Sequence, residues 1–126
     1  MALNSRMKGK VGELEAAMAL RQLFNFTTRR SQQHSGCADS ADLQVDQTPT
    51  LWWEIKRVER LNIANTMTKA VEQSGDRTPV VMHRPNRFKD GWMITIKLSD
   101  LPALMQAFQD SQTNGKIATQ ELAEDA

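Results

Sequence analysis

Residues 51–58 read LWWEIKRV and carry the clearest structural signal in the chain. In an extended strand, successive side chains point to opposite faces, so Trp53 and Ile55 share one face while Glu54 and Lys56 share the other. This alternation predicts a half-buried β-strand. An acid and a base therefore stand side by side on its polar face.

Residues 42–46, just upstream, predict a second strand that pairs with the first across a turn. If Val45 pairs with Leu51, Asp42 falls directly opposite Glu54 on the polar face. Two opposed carboxylates repel each other unless a proton or a cation lies between them. A divalent metal ion would resolve that repulsion.

The rest of the chain predicts an α/β domain with a mixed sheet flanked by helices. An antiparallel meander is followed by a helix that crosses over to a further strand, which is how such sheets arise. The predicted helices cover residues 8–24, 62–74 and about 100–109, and the remaining predicted strands cover residues 26–30, 79–83 and 91–98. Residues 111–126 are polar and weakly periodic, so we expect a frayed or disordered tail behind a domain of residues 1–110.

The first predicted helix offers a third carboxylate. Its apolar residues at near-helical spacing are Leu14, Ala17, Leu20, Leu23 and Phe24. At about 100° per residue, Glu13 lies within about 40° of Leu20 and Phe24, in the middle of the inward stripe, whereas Glu15 points away from it. A buried glutamate needs a partner. Either a basic residue pairs with Glu13, or Glu13 faces the same polar pocket as the two strand carboxylates.

Three carboxylates and one amine make a coherent set for phosphodiester hydrolysis. Carboxylate oxygens suit Mg²⁺ or Mn²⁺. Such an ion stabilises the charge that develops on a phosphodiester and lowers the pKa of a bound water. Lys56 could orient or deprotonate that water, or help to neutralise the phosphate.

These motifs resemble those of the PD-(D/E)xK nucleases, in particular the small Holliday junction resolvases of archaea and phages. The matching stretches are Gly12-Glu13, Ala41-Asp42-Leu43 and Trp53-Glu54-Ile55-Lys56-Arg57. The resemblance covers about residues 9–104 and implies a restriction-endonuclease-like αβββαβ core. By match, the catalytic residues are Glu13, Asp42, Glu54 and Lys56, and the three acids among them bind the metal ion, Mg²⁺ or Mn²⁺.

Two features depart from the family pattern. Ala41 stands where relatives have proline, and Asp39 in the triplet just upstream is an alternative metal ligand to Asp42. Many relatives also bring a glutamine of the following helix to the site. Here the polar stripe of that helix is Asn62, Thr66, Lys69 and Gln73, from which Lys69 or Gln73 is the candidate.

The charge distribution fits a nucleic-acid partner. Residues 1–108 carry 15 Lys and Arg against 11 Asp and Glu, a net charge of +4, whereas residues 109–126 carry one Lys against four acids, a net charge of −3. A basic body attracts a phosphate backbone, although an ordinary solvated surface accounts equally well for any single basic cluster. The candidate DNA contacts are Arg29, Arg30, Ser35, Arg57, Arg60 and Lys69.

Several other classes of protein are disfavoured by composition. The chain has no run of about 20 apolar residues and no secretory signal, so we expect a cytoplasmic protein without a membrane partner, in a bacterial or phage-infected cell. The lone Cys37 precludes an intramolecular disulfide. One cysteine and two histidines are too few for an ordinary structural zinc site.

The leading functional hypothesis is an endonuclease of DNA recombination that cuts a branched junction. The alternative is a non-catalytic DNA-binding or accessory protein on a nuclease fold, and an E-x-K taken alone also fits a surface ion pair. Because a junction requires two symmetric nicks, the resolvase hypothesis implies a homodimer. Candidate dimer contacts, each of which could equally be core, are Met93, Leu104, Met105 and Phe108.

Overall fold

Helices and short strands alternate in the computed structural model, which describes the backbone of residues 5–31 and 41–124 and the side chains of residues 9–31 and 41–112. The helices are α1 (Ser5–Phe24), α2 (Ile63–Ser74) and α3 (Leu101–Glu124). The strands are β1 (Thr28–Arg30), β2 (Leu43–Val45), β3 (Leu51–Lys56), β4 (Thr78–His83) and β5 (Met93–Thr95).

The strands form one mixed sheet in the order β1-β2-β3-β4-β5. The first three strands form an antiparallel meander, β3 and β4 are parallel, and β5 returns antiparallel to β4. A parallel pair needs a crossover connection, and α2 supplies it between β3 and β4. The predicted α/β class, mixed sheet and αβββαβ order are confirmed.

The two faces of the sheet are chemically different. Trp53 and Ile55 of β3 point into an apolar core shared with α1 and α3, whereas α2 covers the opposite face, where Glu54 and Lys56 lie. The core consists of Ala16, Ala17, Leu20, Phe26, Leu43, Val45, Leu51, Trp53, Ile55, Val80, Met82, Leu104 and Ala107. The predicted alternation of β3 therefore separates the main core from the face that carries Glu54 and Lys56.

The buried stripe of α1 is narrower than its sequence predicts. Ala16, Ala17 and Leu20 are buried, whereas the side chains of Leu14 and Leu23 are 50% and 73% exposed. Two adjacent alanines let the helix backbone approach the sheet closely, so the larger residues on either side of them remain at the surface.

The ends of two helices show where local sequence signals succeeded and failed. The side chain of Asn62 caps α2 by accepting a hydrogen bond from the backbone N–H of Asn65 at 3.0 Å. The predicted end of α3 near Gln109 is wrong, because that helix continues to Glu124. Residues 111–124 contain no proline and many strong helix formers, so low hydrophobic periodicity was a poor guide there. The predicted domain boundary at residue 110 stays a prediction.

The candidate dimer contacts are mostly part of the fold. Leu104 is buried, and the ring of Phe108 lies 5.2 Å from that of Phe24 and 5.7 Å from that of Phe26. Met93 is half-buried, and the side chain of Met105 is 58% exposed. The core interpretation is therefore confirmed for Leu104 and Phe108.

None of the helices in the described part of the chain has the length and apolarity needed to cross a membrane.

One buried hydrogen bond of the core generates a test of the fold. Trp53 is 1% exposed, and its indole N–H donates to the hydroxyl of buried Thr48 at 3.0 Å. Thr48→Val should lower the free energy of unfolding by about 1–3 kcal/mol, because the indole N–H loses its acceptor. Thr50 is exposed, so Thr50→Val is the matched control and should change stability by less than about 0.5 kcal/mol. Equal losses in urea denaturation of the two variants would contradict this account.

Candidate active site

The hairpin of β2 and β3 brings Asp42 and Glu54 together. Leu43 pairs with Trp53, and the backbone N–H of Asp42 donates to the carbonyl of Trp53 at 3.1 Å, which sets Asp42 opposite Glu54. The predicted register is confirmed. The side chain of Asp42 also accepts a hydrogen bond from the backbone N–H of Ile55 at 2.8 Å. The carboxylate of Asp42 is therefore held against β3 by the backbone itself.

Glu54 is half-buried beside this second carboxylate. Burial, the negative charge of Asp42 and a hydrogen bond with the Asp42 carboxyl group raise the pKa of Glu54 to about 7, against smaller opposing effects of Trp52 and Lys56. Without a cation, such a pair avoids repulsion by keeping one proton. A divalent ion between the two groups would replace that proton.

Glu13 combines the two alternatives that its position in the sequence leaves open. Its carboxylate forms an ion pair with Arg30 of β1, and it also lies close enough to Asp42 to be affected by that charge. Burial raises the pKa of Glu13, the hydrogen bond from Arg30 lowers it, and the Asp42 charge raises it again, with a net upward shift. Glu13 is therefore next to the carboxylate pair but is already neutralised by an arginine.

Gly12 explains how α1 reaches this position. A Cβ atom at Gly12 would lie 3.1 Å from the Cβ atom of Arg57, which follows β3. That distance is tighter than ordinary side-chain contact, so the helix passes close to the end of β3 at this point. The Gly12-Glu13 stretch therefore owes its glycine to helix–strand packing.

A polar pocket of about 150 Å³ opens beside Glu54 and Lys56. Its other wall is the polar stripe of α2, where the lining residues are Asn65, Thr66, Lys69 and Gln73. The structure thus brings Lys56 to the carboxylate pair, and it adds Lys69 and Gln73, which the sequence offered as weaker candidates. Asn62 does not line the pocket and instead caps the helix.

Trp52 is a site residue that the sequence interpretation missed. Its side chain is 1% exposed and therefore inaccessible to solvent or to a DNA base. Its indole N–H instead donates to Oε2 of Glu54 at 3.3 Å. A signal was available, because residues two apart on a strand share a face and a buried indole N–H seeks an acceptor.

The remaining predicted DNA contacts are dispersed. Arg29 pairs with Asp46 at 3.0 Å, Arg57 pairs with Glu15 at 2.7 Å, and Arg60 is exposed. Their roles in DNA binding stay predictions. Ser35 and the alternative ligand Asp39 lie outside the described residues.

The donor set fits a hard divalent cation, with two carboxylates at its centre. Among the described side chains, no group of three or more His, Cys, Asp or Glu is arranged to hold a metal ion, and Glu13 is paired with Arg30. Asp42 and Glu54 nevertheless present two carboxyl groups within hydrogen-bonding distance of each other, next to a polar pocket. Oxygen ligands of this kind suit Mg²⁺ or Mn²⁺, which complete their shells with water.

Comparisons with known proteins add little to this geometry. No protein-family model matches the chain, and a search of curated proteins found no match. A search of solved structures finds a similarity to Hjc of Archaeoglobus fulgidus, described as a Holliday junction resolvase from an archaeal hyperthermophile. The identity is 17%, the likeness covers 68% of this chain and 72% of that chain, and the TM-score is 0.46. The assignment of the site depends on the chain's own residues.

The shifted pKa of Glu54 makes stability depend on pH. Because folding raises this pKa from 4.5 to about 7, the metal-free protein should lose stability as the pH rises through that window. Glu54→Gln should remove the loss and be more stable than the wild-type protein by about 1–2 kcal/mol at pH 8, after allowance for solvent screening. At pH 4 the two proteins should be equal.

Thermal unfolding at both pH values, in the presence of a chelator, measures this difference. Glu72→Gln, which changes an exposed glutamate of α2, is the matched control and should show no such dependence. If Glu54→Gln lowered stability at pH 8, the two carboxylates would not be in conflict.

Proposed function

We propose that the protein is a metal-dependent endonuclease that hydrolyses phosphodiester bonds of DNA. The observation that carries the proposal is the enforced proximity of Asp42 and Glu54. Opposed, half-buried carboxylates oppose folding, and a pure binding surface for an anionic polymer has no use for them. A cation site beside two lysines, by contrast, suits a phosphate group.

Asp42 and Glu54 are the proposed metal ligands. When bound, Mg²⁺ or Mn²⁺ supplies positive charge against the phosphodiester and acidifies water in the pocket. Asp42 is held in place by the backbone N–H of Ile55, and Glu54 by the indole of Trp52. Glu13 is paired through Oε2 with Arg30, so it is proposed as an outer member of the site.

Lys56 and Lys69 are the proposed contacts to the scissile phosphate. Lys56 lies on the same face of β3 as Glu54, and Lys69 approaches the pocket from α2. Ammonium groups on two sides of a pocket can orient a phosphate between them and can stabilise the negative charge that grows in the transition state. Lys56, adjacent to the carboxylate pair, is also the group placed to orient the attacking water.

Substitutions in the carboxylate pair and at Lys56 test the proposed chemistry. Asp42→Asn, Glu54→Gln and Lys56→Ala should each lower the cleavage rate constant by at least about 100-fold, because each removes charge from the reaction centre. Folding and DNA binding should persist. Gel assays with Mg²⁺ on a labelled DNA measure the rate, with Glu72→Gln as the control.

The outcomes separate the elements of the proposal. Undiminished cleavage by the wild-type protein in excess chelator would overturn the metal mechanism. If Asp42→Asn alone keeps full activity, Asp39 would be the metal ligand in place of Asp42. DNA binding without any cleavage by the wild-type protein would overturn the enzyme assignment.

A branched substrate and a C₂ homodimer are the finer form of the proposal, and they rest on the motif resemblance. Two symmetric nicks in a four-way junction require two sites. We therefore expect light scattering to give twice the 14.2 kDa mass of the chain, and a synthetic four-way junction to be cut faster than a linear duplex of the same sequence. A monomer that cuts both substrates equally would leave the nuclease proposal standing and remove the junction-specific one.

A further inference from the structure

Two neighbouring tryptophans of β3 are buried equally and bonded differently. Trp52 and Trp53 are each 1% exposed, and they point to opposite faces of the sheet. The indole N–H of Trp53 donates to Thr48, at the hairpin turn. The indole N–H of Trp52 donates to Oε2 of Glu54, at 3.3 Å. One indole therefore serves the core, whereas the other contacts a proposed metal ligand.

The ring of Trp52 is itself held in place. The guanidinium carbon of Arg77 lies over the indole, 4.8 Å from the ring centroid, which is within the range of a cation–π contact. The ring is also almost fully buried, at 1% exposed, and the backbone of Trp52 pairs with Pro79 of β4. An indole with so little freedom can fix the orientation of a carboxylate bonded to it.

The neutral indole N–H of Trp52 is a more suitable hydrogen-bond donor to a metal ligand than the charged guanidinium of an arginine. Glu13 is paired with the guanidinium of Arg30, and that positive charge competes with any cation for the same carboxylate. An indole N–H is neutral, so it can occupy one lone pair of Glu54 and leave the negative charge available. Hydrogen bonds of this kind to ligating groups commonly set metal affinity.

We propose that Trp52 is a positioning residue that orients the Glu54 carboxylate for a divalent cation. The inference rests on the proposed function, because it assumes that Glu54 is a ligand. Trp52 touches neither substrate nor metal ion in this arrangement and acts through Glu54. Removing its N–H should leave the ionised Glu54 carboxylate free to rotate away from Asp42, whose negative charge repels it.

The adjacent tryptophans provide a matched pair of variants. Trp52→Phe and Trp53→Phe remove the same indole and the same single N–H from equally buried positions on one strand. Both should lower the melting temperature. Only Trp52→Phe should weaken Mn²⁺ binding, by about 10- to 100-fold. Loss of the free Mn²⁺ signal in electron paramagnetic resonance measures that affinity on the full chain without DNA. In cleavage assays, Trp52→Phe should likewise be slower than Trp53→Phe.

A second replacement at position 52 separates the loss of the N–H group from the loss of packing. Incorporation of 3-benzothienylalanine at position 52 keeps the two-ring shape and exchanges the N–H group for sulfur. It should weaken Mn²⁺ binding as Trp52→Phe does, while the melting temperature stays near that of the wild-type protein.

The results distinguish this inference from the proposal beneath it. Wild-type Mn²⁺ affinity in the 3-benzothienylalanine protein, or equal weakening in Trp52→Phe and Trp53→Phe, would overturn the positioning role alone. A wild-type protein that neither binds Mn²⁺ nor cleaves DNA would overturn the proposed function and this inference with it.

Discussion

The rest of the site depends on the pairing of β2 with β3, which holds two carboxylates against each other. Asp42 cannot move away from Glu54, because its backbone and its side chain both form hydrogen bonds with β3. The movement of Glu54 is also restricted, because the indole N–H of Trp52 donates a hydrogen bond to its Oε2. Burial and the neighbouring Asp42 charge together raise the pKa of Glu54. One glutamine in place of either acid would remove the conflict, so the presence of both acids supports the proposed metal site.

Charge around this pair is arranged in two layers. Next to it are neutral donors, the N–H groups of Ile55 and Trp52, which orient the acids without cancelling them. Farther out are ion pairs that join the elements. Glu15 of α1 bonds Arg57 at 2.7 Å and lies 3.9 Å from Arg84, whose backbone N–H donates to the carbonyl of Lys56 at 3.0 Å. These pairs connect α1 to the ends of β3 and β4.

The sequence was a sound guide wherever one strand or one hairpin contained the whole signal. The alternation of residues 51–58 separated core from polar face, and the length of the turn set Asp42 opposite Glu54, as the register confirms. It was a poor guide to α3, since a polar segment can be helical without an apolar stripe. It correctly placed Ala17 and Leu20 on the buried stripe of α1, but it did not reveal that Leu14 and Leu23 stay exposed.

By itself, therefore, the sequence determined the α/β order, the hairpin and the juxtaposition of Asp42, Glu54 and Lys56, because periodicity and turn length act over a few residues. Only the tertiary structure decided which partner Glu13 takes, that Lys69 borders the pocket, and that Trp52 is buried with its indole N–H bonded to Glu54. Each of these depends on how a helix lies against the sheet. That arrangement is a compromise among packing, desolvation and charge over the whole domain, which no local pattern encodes.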